Sequence, residues 1–352
     1  MFFCVIIKLG DSMKIFKRIL LFILFASIVA AGIYVYLNKD RWMNEKKLSE
    51  VLSEDKVKSI KENDDTELAL SLVSSDSFES SNIDRYIKYS KDTNLDNDKV
   101  IKLVNNNIDK LDDFIYDDII LSLLDEEYYL YKNTNRYMNY YKEHKDLKAS
   151  AIITNVNSNI DYAFYTHTHK TDLSKGNLIL VNKFNYLDED YVPDLVDIDS
   201  EYGDWGSLTP DAYEAFKVMV AGAKEDGIKL FSCSPYRSYE LQSSLYHRYG
   251  ARDGYDKADT YSARPGSSEH QTGLAIDINA ADDWFNDTVE AKWLADNAYK
   301  YGFILRYPKG KEYLTGYQYE SWHYRYVGKE VAKYIFDHDI TFEEYYAFFI
   351  DK

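Results

Sequence analysis

Two short stretches carry side chains whose types could do chemistry together: Ser268-Glu269-His270-Gln271-Thr272-Gly273-Leu274-Ala275-Ile276-Asp277 and Glu320-Ser321-Trp322-His323. A mononuclear catalytic metal needs three protein ligands and one open position for water, and two histidines with one carboxylate meet that need. His270, Asp277 and His323 supply such a set, and the small Gly273 and Ala275 let the chain approach closely between them. Glu320 stands three residues before a candidate ligand, where its carboxylate could take a proton from water. No HExxH sequence is present, which excludes the helical zincin arrangement. A plainer reading is equally open from spacing alone: a loop histidine that is merely hydrogen-bonded, and a strand aspartate that caps a neighbour.

The elements around these residues read as an α+β domain beyond residue 150, where Gly, Pro and Trp appear among short strand-like runs and capped helices. Leu178 to Val181 reads as a strand. Thr209 as N-cap with Pro210 behind it opens a helix with Phe216, Met219, Val220 and Ala223 on one face, closed by Gly227. Leu230 to Ser234 reads as a buried strand, which makes Cys233 an inert core thiol. Tyr236-Arg237-Ser238 turns into a helix from Tyr239 to Tyr249. Gly273 to Ile278 is a strand, Glu290 to Tyr301 a helix ended by Gly302, and Trp322 to Tyr326 a strand. Thr341 with Glu344 forms a capping box for the last helix. In a regular strand Glu320 and His323 would point to opposite faces. Glu320 must therefore lie in a loop or bulge, with pairing starting at about Trp322 and the Trp322 ring in the core.

At these residues the chain resembles the zinc D-alanyl-D-alanine carboxypeptidases of the vancomycin-resistance (VanY) type. The likeness covers roughly residues 155 to 350. Three motifs in the family's order carry it: Ser234-Pro235-Tyr236-Arg237-Ser238-Tyr239-Glu240-Leu241-Gln242, then Ala263-Arg264-Pro265-Gly266-Ser267-Ser268 through Asp277, then Glu320-Ser321-Trp322-His323-Tyr324-Arg325-Tyr326. The resemblance implies a small antiparallel sheet with flanking helices, of the zinc DD-peptidase and hedgehog-like kind. It implies one Zn2+ held by His270, Asp277 and His323, with Glu320 as general base. Arg237 resembles the family's arginine beside the scissile carbonyl, and Ser268 a contact to the substrate's terminal carboxylate. Arg264 is a further available donor. Gln242 is either a substrate contact or a helix residue bonding the next loop. Pro235 departs from the family, where glycine is more familiar. It bears on the turn that presents Arg237, not on the metal chemistry.

The implied reaction removes the C-terminal D-alanine from peptidoglycan stem peptides. An L,D-carboxypeptidase or endopeptidase on the same peptides, and an inactive wall-binding module, are the alternatives. His167 and His169 alternate along Tyr165-Thr166-His167-Thr168-His169 and read as solvated rather than as a second metal pair. His247 and His338 read as surface residues of helices. Two cysteines, Cys4 and Cys233, exclude a disulfide framework and cysteine-based zinc sites.

Ile19 to Leu37 is an uncharged, apolar run long enough to cross a bilayer as one helix. It is longer than a cleaved signal's apolar region, and Val29-Ala30-Ala31 is a poor cleavage match. Lys14, Lys17 and Arg18 favour an inside N-terminus, although Lys39 and Arg41 weaken the asymmetry. The expected layout is a cytoplasmic segment 1–18, a single-pass anchor 19–37, a helical spacer 44–150, and an extracellular catalytic domain 151–352. Met13 is an alternative start. Within the spacer, Val104-Asn105-Asn106-Asn107-Ile108-Asp109 returns as Val156-Asn157-Ser158-Asn159-Ile160-Asp161, either as a degenerate repeat or by chance in an Asn-rich chain. With 42 Lys and Arg against 59 Asp and Glu the net charge is −17, so no nucleic-acid partner is expected. The 34 tyrosines fit a biased composition better than a stacking surface.

Overall fold

The computed structural model describes residues 2–107, 109–203 and 206–351, with side chains from residue 16 onward. The expectations that concern Met1, Cys4, Met13 and Lys14 lie outside the described side chains, as does Ile108 of the recurring motif. The chain divides into two compact units, Met1–Leu121 and Ser122–Lys352.

The first unit begins with one helix, α1 (Phe2–Ser49), which contains the apolar run. Its stretch Phe16–Ser49 is long and apolar enough to cross a membrane, and its most apolar part is unburied. Short helices follow: α2 (Glu54–Glu62), α3 (Thr66–Val73), α4 (Ile83–Asp92) and α5 (Asn97–Asn107). Their inward faces bury Val57, Ile60, Leu72, Tyr86, Tyr89, Val100 and Leu103. Helix α6 (Ile119–Leu124) spans the division, and α7 (Thr134–Glu143) and α8 (Ala149–Asn157) belong to the second unit.

The recurring motif is a true structural repeat about 51 residues long. In the first copy Asn105 accepts from Asn82 at 3.3 Å and from the Tyr86 hydroxyl, and donates to the Ser77 carbonyl at 2.8 Å. In the second copy Asn157 accepts from Asn133 at 3.0 Å and from the Tyr137 hydroxyl at 2.6 Å, and donates to the Tyr128 carbonyl at 2.9 Å. Chance recurrence of asparagine would not rebuild the same three bonds around the same buried tyrosine. Residues 122–150 lie in the second unit, where Tyr128 stacks on Phe348 with ring centroids 4.1 Å apart and α8 packs on the last helix.

The rest of the second unit is α+β, as expected. Two short ladders come first: β1 (His169–Lys170) pairs parallel with β2 (Asn185–Tyr186), and β3 (Val196–Asp197) antiparallel with β4 (Ser207–Leu208). The main sheet is antiparallel and four-stranded, β5 (Ser232–Ser234), β6 (Ala275–Ile278), β7 (Phe303–Leu305) and β8 (His323–Tyr326), in the order β5-β6-β8-β7. Helices α9 (Pro210–Glu225), α10 (Tyr239–Asp253), α11 (Tyr255–Ala258), α12 (Val289–Asn297), α13 (Glu312–Thr315), α14 (Lys329–His338) and α15 (Phe342–Phe349) flank it. Phe216 and Met219 of α9 meet Ile276, Ile278 and Tyr324 of the sheet in one apolar core. Thr341 and Glu344 close the capping box of α15.

Two local expectations are corrected. Leu178 to Val181 is not a strand: Leu178 ends a 3-10 segment, Leu173–Leu178. Its backbone acceptors are instead met by side chains, Asn177 and Ile179 by Arg325 and Leu180 by Thr171. Cys233 is half-buried rather than a core thiol, because β5 is an edge strand whose inward residue is Ser232.

Candidate active site

Asp277 and His323 are direct partners across the β6–β8 ladder. Side chains alternate along a strand, so Asp277, His323 and Arg325 share one face while Ile276, Ile278 and Tyr324 enter the apolar core on the other. His270 reaches the same face from the 3-10 turn Glu269–Thr272 that precedes β6. Gly273 ends that turn at φ +66, and a Cβ there would lie 2.9 Å from a Leu195 methyl, so both conformation and space call for glycine.

These elements bring His270, Asp277 and His323 together. All three are buried, and one ligand atom from each lies within 4.8 Å of the others. His270 Nδ1 is 2.7 Å from the Pro235 carbonyl, and its Nε2 is 3.4 Å from Asp277 Oδ2. Donation from Nδ1 leaves the Nε2 lone pair directed at the cluster, as a metal ligand requires. His323 Nδ1 lies 3.0 Å from Asp277 Oδ1. Three buried donor atoms, one of them already oriented by an outer carbonyl, fit a divalent metal. Burial, reinforced by the Arg237 charge, holds His270 below the usual histidine range. Burial pushes the Asp277 carboxyl up, but the two histidines outweigh it and hold it well below the usual carboxylate range. Burial pulls His323 down, yet the Asp277 and Glu269 acceptors raise it to about 9.

Glu320 lies in the turn before β8, where its backbone N–H donates to Tyr307 O and its carbonyl accepts from the N–H of His323. The turn avoids the face conflict that a continuous strand would impose. Glu320 Oε2 is 4.0 Å from His323 Nδ1, and burial pushes its carboxyl up to about 8. A group poised there can both accept and return a proton near neutrality. Trp322 is buried in the core and also borders the cavity.

Arg237 leads into α10, with Nη1 donating to Gln242 Oε1 at 2.8 Å and Nη2 to Ser234 Oγ at 2.9 Å; Nη2 is 3.6 Å from Asp277 Oδ2. Gln242 is buried and donates to the Ala263 carbonyl at 2.7 Å, so it bonds the neighbouring loop while holding Arg237. Pro235 is accommodated by Gly206, where a Cβ would fall 2.3 Å from the proline ring. Ser268 is buried beside His270. Arg237, Ser268, His270, Asp277, Glu320 and His323 all border one cavity of about 560 Å3. Arg264 is not brought to it. Its guanidinium pairs with Asp259, at 3.1 and 2.7 Å, and lies over the Tyr165 ring. His167 stacks on Tyr162 and is exposed, as is His169, and the His270 cluster is the one metal-capable group among the described residues.

The sequence reading missed what stands behind His323. Glu269 Oε2 faces His323 Nε2 at 3.6 Å, both atoms buried and without a hydrogen bond, while Glu269 Oε1 accepts from Arg306 at 2.8 Å and Arg325 at 3.0 Å. Arg306 also makes a two-pronged pair with Glu343, at 2.8 and 2.5 Å. Burial raises the Glu269 carboxyl, but the two arginines outweigh it and hold it well below the usual range. Tyr307 covers the His323 ring, with centroids 4.8 Å apart. One signal was available: Arg325, two residues after His323, sits on the same strand face, and a buried arginine needs an acid.

The VanY profile, described as D-alanyl-D-alanine carboxypeptidase, matches residues 206–329. YodJ of Bacillus subtilis strain 168, which bears a provisional carboxypeptidase name, is 45% identical over 181 residues, 48% of this chain and 66% of YodJ. The chain thus spans just under two thirds of that relative. A D-alanyl-D-alanine carboxypeptidase of Enterococcus faecalis is 34% identical over 189 residues, 51% of this chain and 69% of its own length. Among solved structures, the LdcB LD-carboxypeptidase, described for its peptidoglycan recognition, is 42% identical and covers 52% of this chain and 91% of its own, with a TM-score of 0.49. The motif order, the profile match and the 34% identity over 69% of the Enterococcus faecalis enzyme agree, and the chain belongs to the VanY family of D-alanyl-D-alanine carboxypeptidases.

Proposed function

We propose that the protein is a zinc-dependent D,D-carboxypeptidase that hydrolyses the C-terminal D-alanine from peptidoglycan stem peptides. The observation that carries this reading is the buried convergence of His270, Asp277 and His323 beside Glu320 in one open cavity. His270, Asp277 and His323 would hold Zn2+, which when bound lowers the pKa of a water and polarises a carbonyl. Glu320 accepts a proton from the attacking water as the carbon–oxygen bond forms. It returns that proton to the D-alanine nitrogen as the carbon–nitrogen bond breaks. Arg237, held by Gln242 and Ser234, offers charged donors to the carbonyl oxygen as negative charge develops. Ser268 lines the same cavity, and its hydroxyl would serve the substrate's free carboxylate. The apolar part of α1 would anchor the chain in the cell membrane, with the catalytic unit on the extracellular side. Mass spectrometry of stem peptides incubated with the purified protein tests the reading. Loss of one D-alanine from a pentapeptide is expected, whereas selective shortening of a tetrapeptide would assign the L,D bond instead, and no product from either would remove the carboxypeptidase reading.

A further inference from the structure

The two copies of the repeat differ on one face. With Asn105 matched to Asn157, the first copy's Lys99, Lys102 and Asn106 stand where the second has Ala151, Thr154 and Ser158. Spacings of three and four put each trio on one side of its helix. Lys102 and Asn106 are exposed, whereas Thr154 is half-buried and Ser158 is buried. The difference follows from α15, which packs on α8 alone. Ser158, Glu343, Tyr346 and Ala347 close in on a cavity of only about 20 Å3. Tyr128, which stacks on Phe348 of α15, stands where the first copy has Ser77. The second copy is thus shaped as a seat for the last helix: small side chains on α8 and one aromatic ring at its edge.

Glu343 gives that seat its bearing on the site. Its carboxylate accepts from Arg306 at 2.8 and 2.5 Å and from Asn182 at 3.2 Å. Arg306 in turn holds Glu269 Oε1, and Glu269 Oε2 faces His323 Nε2. Arg306, Arg325, Glu269 and Glu343 are all buried, so the cluster carries two charges of each sign. Removing one charge from such a cluster leaves another uncompensated. Without Glu343, both guanidiniums would bear on the single Glu269 carboxylate and draw it away from His323. We propose that Glu343 is a positioning residue for the metal centre, and that the second repeat, by seating α15, is the part of the chain that holds it there. The inference rests on the zinc reading for what His323 binds. The balanced cluster and the seat stand apart from that reading.

The test measures zinc affinity on the full chain by competition with a calibrated chelator. The variants are Glu343→Gln, a graft of the first repeat's face onto the second (Ala151→Lys, Thr154→Lys and Ser158→Asn), and the two combined. Each alone should weaken zinc binding by roughly three- to thirtyfold, the range of coupling carried through a packed network. Combined, they should weaken it no further than the stronger one does alone, because both act through the same carboxylate. Asn105→Ala, which loosens the first repeat, should lower thermal stability and leave zinc affinity unchanged. Should Glu343→Gln or the graft fail to fold by circular dichroism, Glu343→Asp or Ser158→Asn takes its place. Unchanged affinity in the Glu343 variant, effects that add, or an equal loss from Asn105→Ala would overturn the inference. The expected pattern without turnover of any stem peptide would leave it standing and sink the carboxypeptidase reading instead. Absence of zinc binding by the unsubstituted protein would overturn both.

Discussion

Glu269 Oε2 stands 3.6 Å from His323 Nε2, at the ring nitrogen opposite the one that meets Asp277. The histidine is therefore flanked by carboxylates on both nitrogens, one in the ligand cluster and one behind it. Two arginines fix the rear carboxylate, so its position is set by the sheet rather than by the site. At 3.6 Å the rear carboxylate makes no hydrogen bond, but its charge favours a proton on Nε2, which leaves Nδ1 for the cluster.

Glu269→Gln should therefore weaken zinc binding by roughly ten- to a hundredfold while sparing the three ligands. The substitution preserves shape, so folding at room temperature is expected to survive. It removes a buried charge opposite Arg306 and Arg325, so thermal stability should also fall. Competition with a calibrated chelator reads the affinity, and an unchanged value would show that Glu269 only supports the arginines.

Metal affinity should depend steeply on pH. In the metal-free protein His323 is raised to about 9, so below that pH the folded chain carries a proton that metal binding must expel. The sign follows directly: affinity rises with pH, by about one decade per unit for one released proton, and levels off above pH 9. Burial raises Glu320 to about 8, which adds to the same trend only if metal binding ionises it. Zinc titrations across pH 6 to 9 in weakly coordinating buffers would show this, and a flat profile would contradict it.

The repeated asparagine makes a paired prediction about stability. Asn105→Ala and Asn157→Ala each strip a buried tyrosine hydroxyl and a backbone carbonyl of their partner. Each should cost about 1–3 kcal/mol, the usual penalty for an orphaned buried polar group. Asn106→Ala, on the exposed side of α5, should fall within about 0.5 kcal/mol of the parent. Thermal unfolding measures all three, and a loss at one repeat without the other would break the equivalence.

The convergence of His270, Asp277 and His323 was legible from the three family motifs in order, not from spacing, which left a hydrogen-bonded histidine and a capping aspartate open. The loop position of Glu320 was legible too, since strand alternation forbids the alternative. The support behind the site was not: Glu269 meets Arg306, Arg325 and His323 across separations of 37 to 56 residues, which no local pattern encodes. Arg264 was misread because a motif arginine gives no sign that Asp259 will claim it. Leu178 to Val181 was read as a strand because an apolar run says nothing about whether a ladder or Arg325 will satisfy its carbonyls. The repeat was half visible, since the matching Asn-Tyr partners lie some 20 residues before each motif.

The most direct test of the central claim measures zinc content and D-alanine release on the same preparations of the unsubstituted protein, Glu320→Ala and His323→Ala. The account predicts one zinc and full turnover for the first. For Glu320→Ala it predicts one zinc with turnover reduced at least about a hundredfold, the scale of general acid–base help. For His323→Ala it predicts the loss of both, because two remaining ligands rarely retain a catalytic ion. Loss of zinc from Glu320→Ala would make that residue a ligand, and full turnover after removal of the metal would contradict the mechanism outright.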